Sequence, residues 1–205
     1  MNAAMPVIHI VDDDASFRTA ISRLVRAGGH EVRCYPSAVE FLAATPGATP
    51  GCVLLDLHMP GPSGLDLQGV LAKAENPLPI IFLTGHGDIP TSVQAMREGA
   101  EDFLTKPVKK EVLFPAIERA LARSARERAA RAERREWRSR YDTLTPRERE
   151  VMALVVSGKL NKQIAGDLGT VERTVKAHRA QVMEKMQVTS LAELVRAAEL
   201  LAAHE

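Results

Sequence analysis

The stretch Val7-Ile8-His9-Ile10-Val11-Asp12-Asp13-Asp14 decides how the first half of the chain folds. A short, almost continuous apolar run that stops abruptly at carboxylates is the pattern of a strand buried on both faces, and such strands belong to parallel sheets. Working outward, Glu31–Tyr35, Cys52–Leu55, Ile80–Leu83 and Asp102–Leu104 repeat the pattern, each bounded by Gly, Pro, Asp or Asn. Helical spacing fills the intervals. Phe17, Ala20, Ile21, Leu24 and Val25 recur at three and four residues until Gly28-Gly29 stops them. Ser37 to Leu42, Leu65 to Leu71, Thr91 to Met96 (ending at Gly99) and Glu111 onward predict four more helices. Strands that alternate with helices pair in parallel through right-handed crossovers, so an α/β, five-stranded, doubly wound sheet covered on both faces is expected. Chemistry in such sheets collects at the carboxyl ends of the strands, near a topological switch point.

A chain of 205 residues leaves room for a second domain. The composition, 45% hydrophobic and 26% charged, is that of a globular protein. No run approaches the roughly 18 apolar residues of a membrane span, and the first residues lack a basic and then apolar leader. A cytoplasmic protein with no membrane partner is expected. Cys34 and Cys52 are the only cysteines, which excludes a disulfide scaffold and a four-cysteine zinc site; both are read as reduced, buried thiols. The net charge of +1 hides an asymmetry: residues 1–120 carry 10 Lys/Arg against 14 Asp/Glu, and residues 121–205 carry 17 against 12. An acidic front and a basic back point to different partners, a polyanion suiting the second half.

The fifth helix has no evident stop. From Leu121 to Asp142 there is neither Gly nor Pro, and the apolar positions shrink to Ala122, Ala125, Ala129 and Ala132, with Trp137 as the bulky group. A solvated helical linker over 121–143 is expected, separating a domain at 1–120 from one at 144–205. The tail restarts at Thr145-Pro146-Arg147-Glu148, a hydroxyl cap, a proline at the first helical position and a glutamate three residues after the cap. Val151, Leu154 and Val155 face inward there until Gly158. Asn161 is read as the cap of a second helix with Ile164, Ala165 and Leu168, ended by Gly169. Thr170 is read as the cap of a third, whose inward stripe is Val171, Val175, Val182 and Met186; Leu191, Leu194, Val195 and Ala198 supply a fourth. Four short helices make a small all-α domain.

Parallel strands bring their ends to one edge. Asp12, Asp13 and Asp14 follow the first strand, Asp56 the third, Thr84 the fourth and Lys106 the fifth. Gathering carboxylates there is costly unless a cation intervenes, and a hard, oxygen-seeking ion such as Mg²⁺ (or Mn²⁺) would relieve it. A divalent ion, an ammonium and a hydroxyl together can hold a phosphoryl group, with the nearest carboxylate as nucleophile forming an acyl phosphate.

The segments Val11-Asp12-Asp13-Asp14, Leu54-Leu55-Asp56-Leu57-His58-Met59-Pro60, Leu83-Thr84-Gly85-His86-Gly87-Asp88 and Phe103-Leu104-Thr105-Lys106-Pro107 resemble the receiver domain of two-component response regulators. The tail resembles the LuxR-type helix-turn-helix, and the pair is similar to the FixJ-like regulators, with a flavodoxin-like receiver. The resemblance implies that Asp56 accepts a phosphoryl group from a sensor histidine kinase. Asp12, Asp13, Asp56 and the backbone carbonyl of His58 would hold the metal. Lys106 would pair with a phosphoryl oxygen, the Thr84 hydroxyl would close onto it, and Phe103 would turn inward. That turn would reshape the surface of the fourth helix, fifth strand and fifth helix into a dimer face, so that phosphorylation yields a homodimer. His58 and His86, two residues past Asp56 and Thr84, flank the route of water to the phosphate and are expected to tune its hydrolysis.

The helix-turn-helix proportions of residues 161–186 place the second helix in a major groove of double-stranded operator DNA. With its apolar stripe inward, Arg173, Lys176, Ala177 and Ala180 project outward and Arg179 lies on the boundary. Lys162 and Thr174 suit phosphate oxygens, and Arg173, Lys176 and Ala177 suit base edges. His178 falls near the core face. Residues 144–205 carry 9 basic against 8 acidic residues, so one copy should bind weakly and two copies much more tightly. The expected function is a phosphorylation-controlled transcription factor, with RNA polymerase as a further partner, and not an enzyme beyond slow loss of its own phosphate. Two alternatives stand beside it: a DNA-binding protein whose receiver serves only to dimerise, and an aspartyl phosphohydrolase. The second usually needs an aspartate two residues after the nucleophile, where this chain has His58.

Overall fold

Strands without a polar face need cover on both sides, and the chain supplies it. The computed structural model describes residues 5–44, 49–74, 76–85 and 89–202. Strands β1 (Val7–Val11), β2 (Glu31–Tyr35), β3 (Gly51–Asp56), β4 (Ile80–Thr84) and β5 (Asp102–Thr105) form one parallel sheet in the order β2-β1-β3-β4-β5. Helices α1 (Ala15–Ala27), α2 (Ala38–Ala43), α3 (Gly64–Ala72), α4 (Ile89–Arg97) and α5 (Lys110–Asp142) alternate with the strands. The period-2 geometry of the strands sorts the core into two layers. Val11, Val53, Leu55 and Phe82 meet Phe41 of α2, Leu67 and Leu71 of α3 and Ala95 of α4. Ile8, Ile10, Leu54, Ile81 and Leu83 meet Ile21 and Val25 of α1 and Leu113, Ala116 and Ile117 of α5.

The strand order reverses between β1 and β3, which opens a crevice at their carboxyl ends. Register then decides what lines it. Val11 lies beside Leu55, Asp56 beside Leu83, and Thr84 beside Thr105, so Asp12, Asp56, Thr84 and Lys106 all arrive at the same edge. Gly64 lets α3 begin close against that edge: a β-carbon there would stand 2.5 Å from the Asp56 carbonyl oxygen.

Contacts divide the chain into two units, Met1–Arg128 and Ala129–Glu205. The second unit holds the end of α5 with α6 (Pro146–Val156), α7 (Asn161–Asp167), α8 (Glu172–Met186) and α9 (Leu191–Ala202). Its core is built from Leu144, Val151, Met152, Val155, Ile164, Val175, Val182, Met186 and Leu194.

Several expectations need correction. Of the two cysteines only Cys52 is buried, where desolvation pushes its thiol up to about 12; Cys34 is exposed because β2 is an edge strand. Residues 121–143 are not simply a solvated linker. Trp137 and Tyr141, four residues apart on α5, pack on the second core, and Arg140 stacks over the Trp137 ring at 4.6 Å. Val171 leaves the inward stripe: it is 64% exposed. The expected side-chain caps at Asn161 and Thr170 do not form. The N-cap residues are Leu160 and Val171, neither of which caps with its side chain. At Leu160 the backbone N–H is taken instead by the Gln163 side chain at 2.8 Å.

The missing cap on α8 gives a direct test. Val171 already has the extended backbone of an N-cap (φ −104°, ψ 153°). Val171→Ser places a hydroxyl where it can accept an N–H of the first turn, and is expected to add about 0.5–1 kcal/mol of stability. Thermal denaturation of the full chain checks it; an unchanged midpoint for the C-terminal unit argues against the gain.

Candidate acidic site and candidate nucleic-acid interface

The acidic site is assembled by strand ends. Asp12 is buried (1% exposed) and each of its oxygens has a partner: Oδ1 accepts the Asp14 N–H at 2.9 Å and Oδ2 accepts from Lys106 Nζ at 2.6 Å. Lys106 Nζ also lies 3.1 Å from Asp56 Oδ2, so one ammonium bridges two carboxylates. The far oxygen of Asp56 faces the His58 N–H at 3.5 Å. Asp13 is exposed at the rim, and ligand oxygens of Asp12, Asp13 and Asp56 lie within 4.8 Å of one another. Lys106 sits 4.2 Å from the centroid of the Phe17 ring, which supplies a partly apolar wall and a cation–π contact. The Lys106 N–H donates to the Thr84 carbonyl at 2.8 Å, fixing the base of the lysine.

Electrostatics follow from that packing. Desolvation raises the Asp12 carboxyl above its ordinary range; the Lys106 hydrogen bond opposes this and repulsion from Asp56 adds to it. Desolvation opposes charge on Lys106 as well, but its bonds to Asp12 and Asp56 outweigh that cost and hold the ammonium above its ordinary value. The cluster thus has more negative charge than one ammonium neutralises. Oxygen-only donors, close spacing and surplus negative charge fit a hard divalent ion.

Thr84 is 1% exposed at the end of β4. Phe103 on β5 is partly buried against the first core layer, its ring centroid 5.9 Å from that of Phe82. His58 is exposed, and His86 lies outside the described residues. Asp14 plays a different part, since its Oδ1 accepts the Ser16 and Phe17 N–H groups at 2.8 and 3.1 Å and caps α1. Sequence reasoning missed Arg18, whose Nη1 donates to the Asp12 carbonyl at 2.5 Å, and Phe17's second role beneath the lysine. The position of Phe17 and Arg18 one turn into α1, directly after the acidic run, was the available signal.

In the second unit, α7 and α8 are joined by a turn in which Gly169 takes φ +62°, a conformation that suits glycine. Lys162, Arg173, Lys176, Ala177 and Ala180 are exposed, while Thr174, His178 and Arg179 are half-buried. Arg179 is turned back, its Nη1 donating to Asn161 Oδ1 at 3.3 Å, so it ties α8 to the start of α7. The scaffold beneath is polar as well as apolar. Glu148 completes the α6 capping box expected from sequence and also meets Lys185 of α8 at 2.7 Å, a bond that holds its carboxyl below the ordinary range.

Comparison with known proteins covers both halves. Residues 8–118 match the response regulator receiver domain family, and residues 142–198 match the luxR family of bacterial regulatory proteins. The chain is 45% identical over 195 residues to Nodulation protein W of Bradyrhizobium diazoefficiens, covering 95% of this chain and 86% of that one. It is 42% identical over 191 residues to the transcriptional regulatory protein FixJ of Rhizobium meliloti, covering 93% and 94%. Among solved structures, the response regulator StyR aligns with a TM-score of 0.84 at 43% identity, covering 96% of this chain and 99% of that one. Full-length FixJ from B. japonicum aligns at 38% identity and a TM-score of 0.58, covering 98% of each. No helix among the described residues is long and apolar enough to cross a membrane.

Proposed function

Because the chain belongs to the two-component response regulators that join a receiver domain to a LuxR-type DNA-binding domain, we propose that Asp56 is its phosphoacceptor and that phosphorylation there controls dimerisation and operator binding. Residues 1–120 serve as the receiver, 121–143 as the helical connection and 144–205 as the DNA-binding domain. The observation that carries the reading is the ammonium of Lys106 between Asp12 at 2.6 Å and Asp56 at 3.1 Å, at the rim where Asp13 adds a third carboxylate.

A carboxylate oxygen of Asp56 attacks the phosphorus of a phosphohistidine on the kinase. The new O–P bond gives an acyl phosphate, the P–N bond breaks, and the leaving imidazole nitrogen keeps the electron pair and takes up a proton. Asp12, Asp13, Asp56 and the His58 carbonyl would hold Mg²⁺ or Mn²⁺, which supplies charge neutralisation for the incoming phosphoryl oxygens. Lys106 then exchanges a carboxylate partner for a phosphoryl oxygen, and the Thr84 hydroxyl closes on another. The exchange needs little motion, since the lysine already lies against the acceptor. Phe103 follows Thr84 inward, and the α4–β5–α5 surface becomes the dimer face. In the dimer, Lys162 and Thr174 position the protein on phosphates, and Arg173, Lys176 and Ala177 meet base edges; Arg179 contributes once released from Asn161. Binding near a promoter then brings RNA polymerase within reach.

Incubation of the full chain with acetyl phosphate and Mg²⁺ tests this. Mass spectrometry is expected to place one phosphoryl group on Asp56. The labelled protein should bind a duplex selected from a random library at least tenfold more tightly than Asp56→Asn, since two tethered copies act at high effective concentration. Label on another residue, or equal binding by the two proteins, overturns the reading.

A further inference from the structure

We propose that Gln68 is a positioning residue for the switch: it latches α4 in the resting state, and its release accompanies phosphorylation. The inference rests on the proposed role of Asp56 and Thr84. Gln68 lies on α3 and is only 3% exposed, and its Nε2 donates to the Ala95 carbonyl of α4 at 3.0 Å. That carbonyl sits where α4 ends: it also accepts the Ala100 N–H at 3.1 Å, across the turn at Gly99 (φ +93°). One side-chain bond therefore joins α3 to the terminal turn of α4, two helices that also share an apolar core cluster through Leu67, Leu71 and Ala95.

Stability does not account for an amide at this position. Gln68 Oε1 is buried without a hydrogen-bond partner among the described residues, so the side chain forfeits on one side what it gains on the other. A leucine would bury comparable surface with no polar atom to satisfy. What an apolar residue cannot do is choose one position of α4 over another, because dispersion contacts tolerate small sliding and a hydrogen bond does not. Helix α4 is also the element that a moving Thr84 must carry, since it begins only five residues after β4 ends. A bond at the far end of the same helix sets how easily it leaves its resting place. Removing the bond shifts the two-state equilibrium toward the active form without touching the acceptor.

The test compares wild type, Gln68→Leu and Gln68→Met, each with and without beryllium fluoride as phosphoryl mimic, on the same selected duplex. Unmodified Gln68→Leu is expected to bind three- to tenfold more tightly than unmodified wild type, and the mimic-loaded forms to agree within twofold. Gln68→Met, which removes the amide donor and keeps the length of the side chain, should move the unmodified protein as far. Equal shifts in both states, or no shift in the unmodified state, overturn the latch. Should either variant fold poorly, hydrogen exchange in wild type decides: the Ala100 amide should exchange at least threefold faster with the mimic, and an unchanged rate overturns the proposal. Failure of wild type to take label at Asp56 is a separate outcome and tells against the phosphoacceptor reading itself.

Discussion

Lys106→Met is expected to bind Mg²⁺ about tenfold more tightly than wild type while losing the gain in DNA affinity on phosphorylation. The ammonium holds Asp12 Oδ2 at 2.6 Å and Asp56 Oδ2 at 3.1 Å, so it competes with a divalent ion for the same oxygens and repels it. Between a +1 and a +2 charge about 5 Å apart at an effective dielectric near 20 the Coulomb energy is about 7 kcal/mol, and screening at this partly open rim leaves on the order of 1–2 kcal/mol. That is roughly a factor of ten in the dissociation constant. Methionine keeps much of the length and still packs on Phe17, so the wall of the site survives. The second effect has a separate cause: with no ammonium to leave the carboxylates for the phosphoryl group, the signal at Asp56 has no partner at the end of β5. Isothermal titration calorimetry with MgCl₂ reads the first effect, and DNA binding by labelled protein the second. Weaker Mg²⁺ binding in the variant would show that the lysine organises the carboxylates rather than competing for them.

The convergence of Lys106 on the carboxylates is largely legible in the sequence, and the reason is topological. Once five buried runs are read as parallel strands, their carboxyl ends must share an edge, and Asp12, Asp56, Thr84 and Lys106 come together whatever the details of packing. Local punctuation is legible for the same kind of reason where it is polar, as at Thr145 and Glu148. It fails where the chain omits the usual polar cap. Leu160 and Val171 begin helices without a capping side chain, so the nearest polar residue draws the boundary instead. Tyr141 escapes notice because a sparse alanine stripe hides that it packs, like Trp137, on the second core. Long-range side-chain contacts are not legible at all. Nothing near Gln68 in sequence indicates Ala95, and nothing in β1 indicates that His9 has a tyrosine beside it.

His9→Phe is expected to abolish an acid-sensitive component of stability that amounts to about 3 kcal/mol in wild type. His9 lies in the central region of the sheet with no exposed surface, its Nδ1 3.2 Å from the Tyr35 hydroxyl and its ring edge-on to Phe41. Burial pushes the imidazole down from 6.5 to about 4, with the charge of Arg33 a smaller contribution in the same direction. The folded chain therefore keeps His9 neutral until the pH nears 4, whereas the unfolded chain protonates it near 6.5. As pH falls through that window the unfolded state binds the extra proton, and stability drops; above it His9 contributes no slope. Denaturant midpoints of wild type and His9→Phe compared at pH 7 and pH 4.5 isolate the histidine, because every other titrating group is common to both. Wild type should lose most of the roughly 3 kcal/mol across that interval, beyond whatever His9→Phe loses. Tyr35→Phe separates the causes: it deletes the hydrogen bond yet leaves the ring buried, and so should lower stability at both pH values while keeping the slope. Parallel curves for wild type and His9→Phe would mean that the imidazole gains a proton without leaving the sheet, and that its neighbours can hold a charge there.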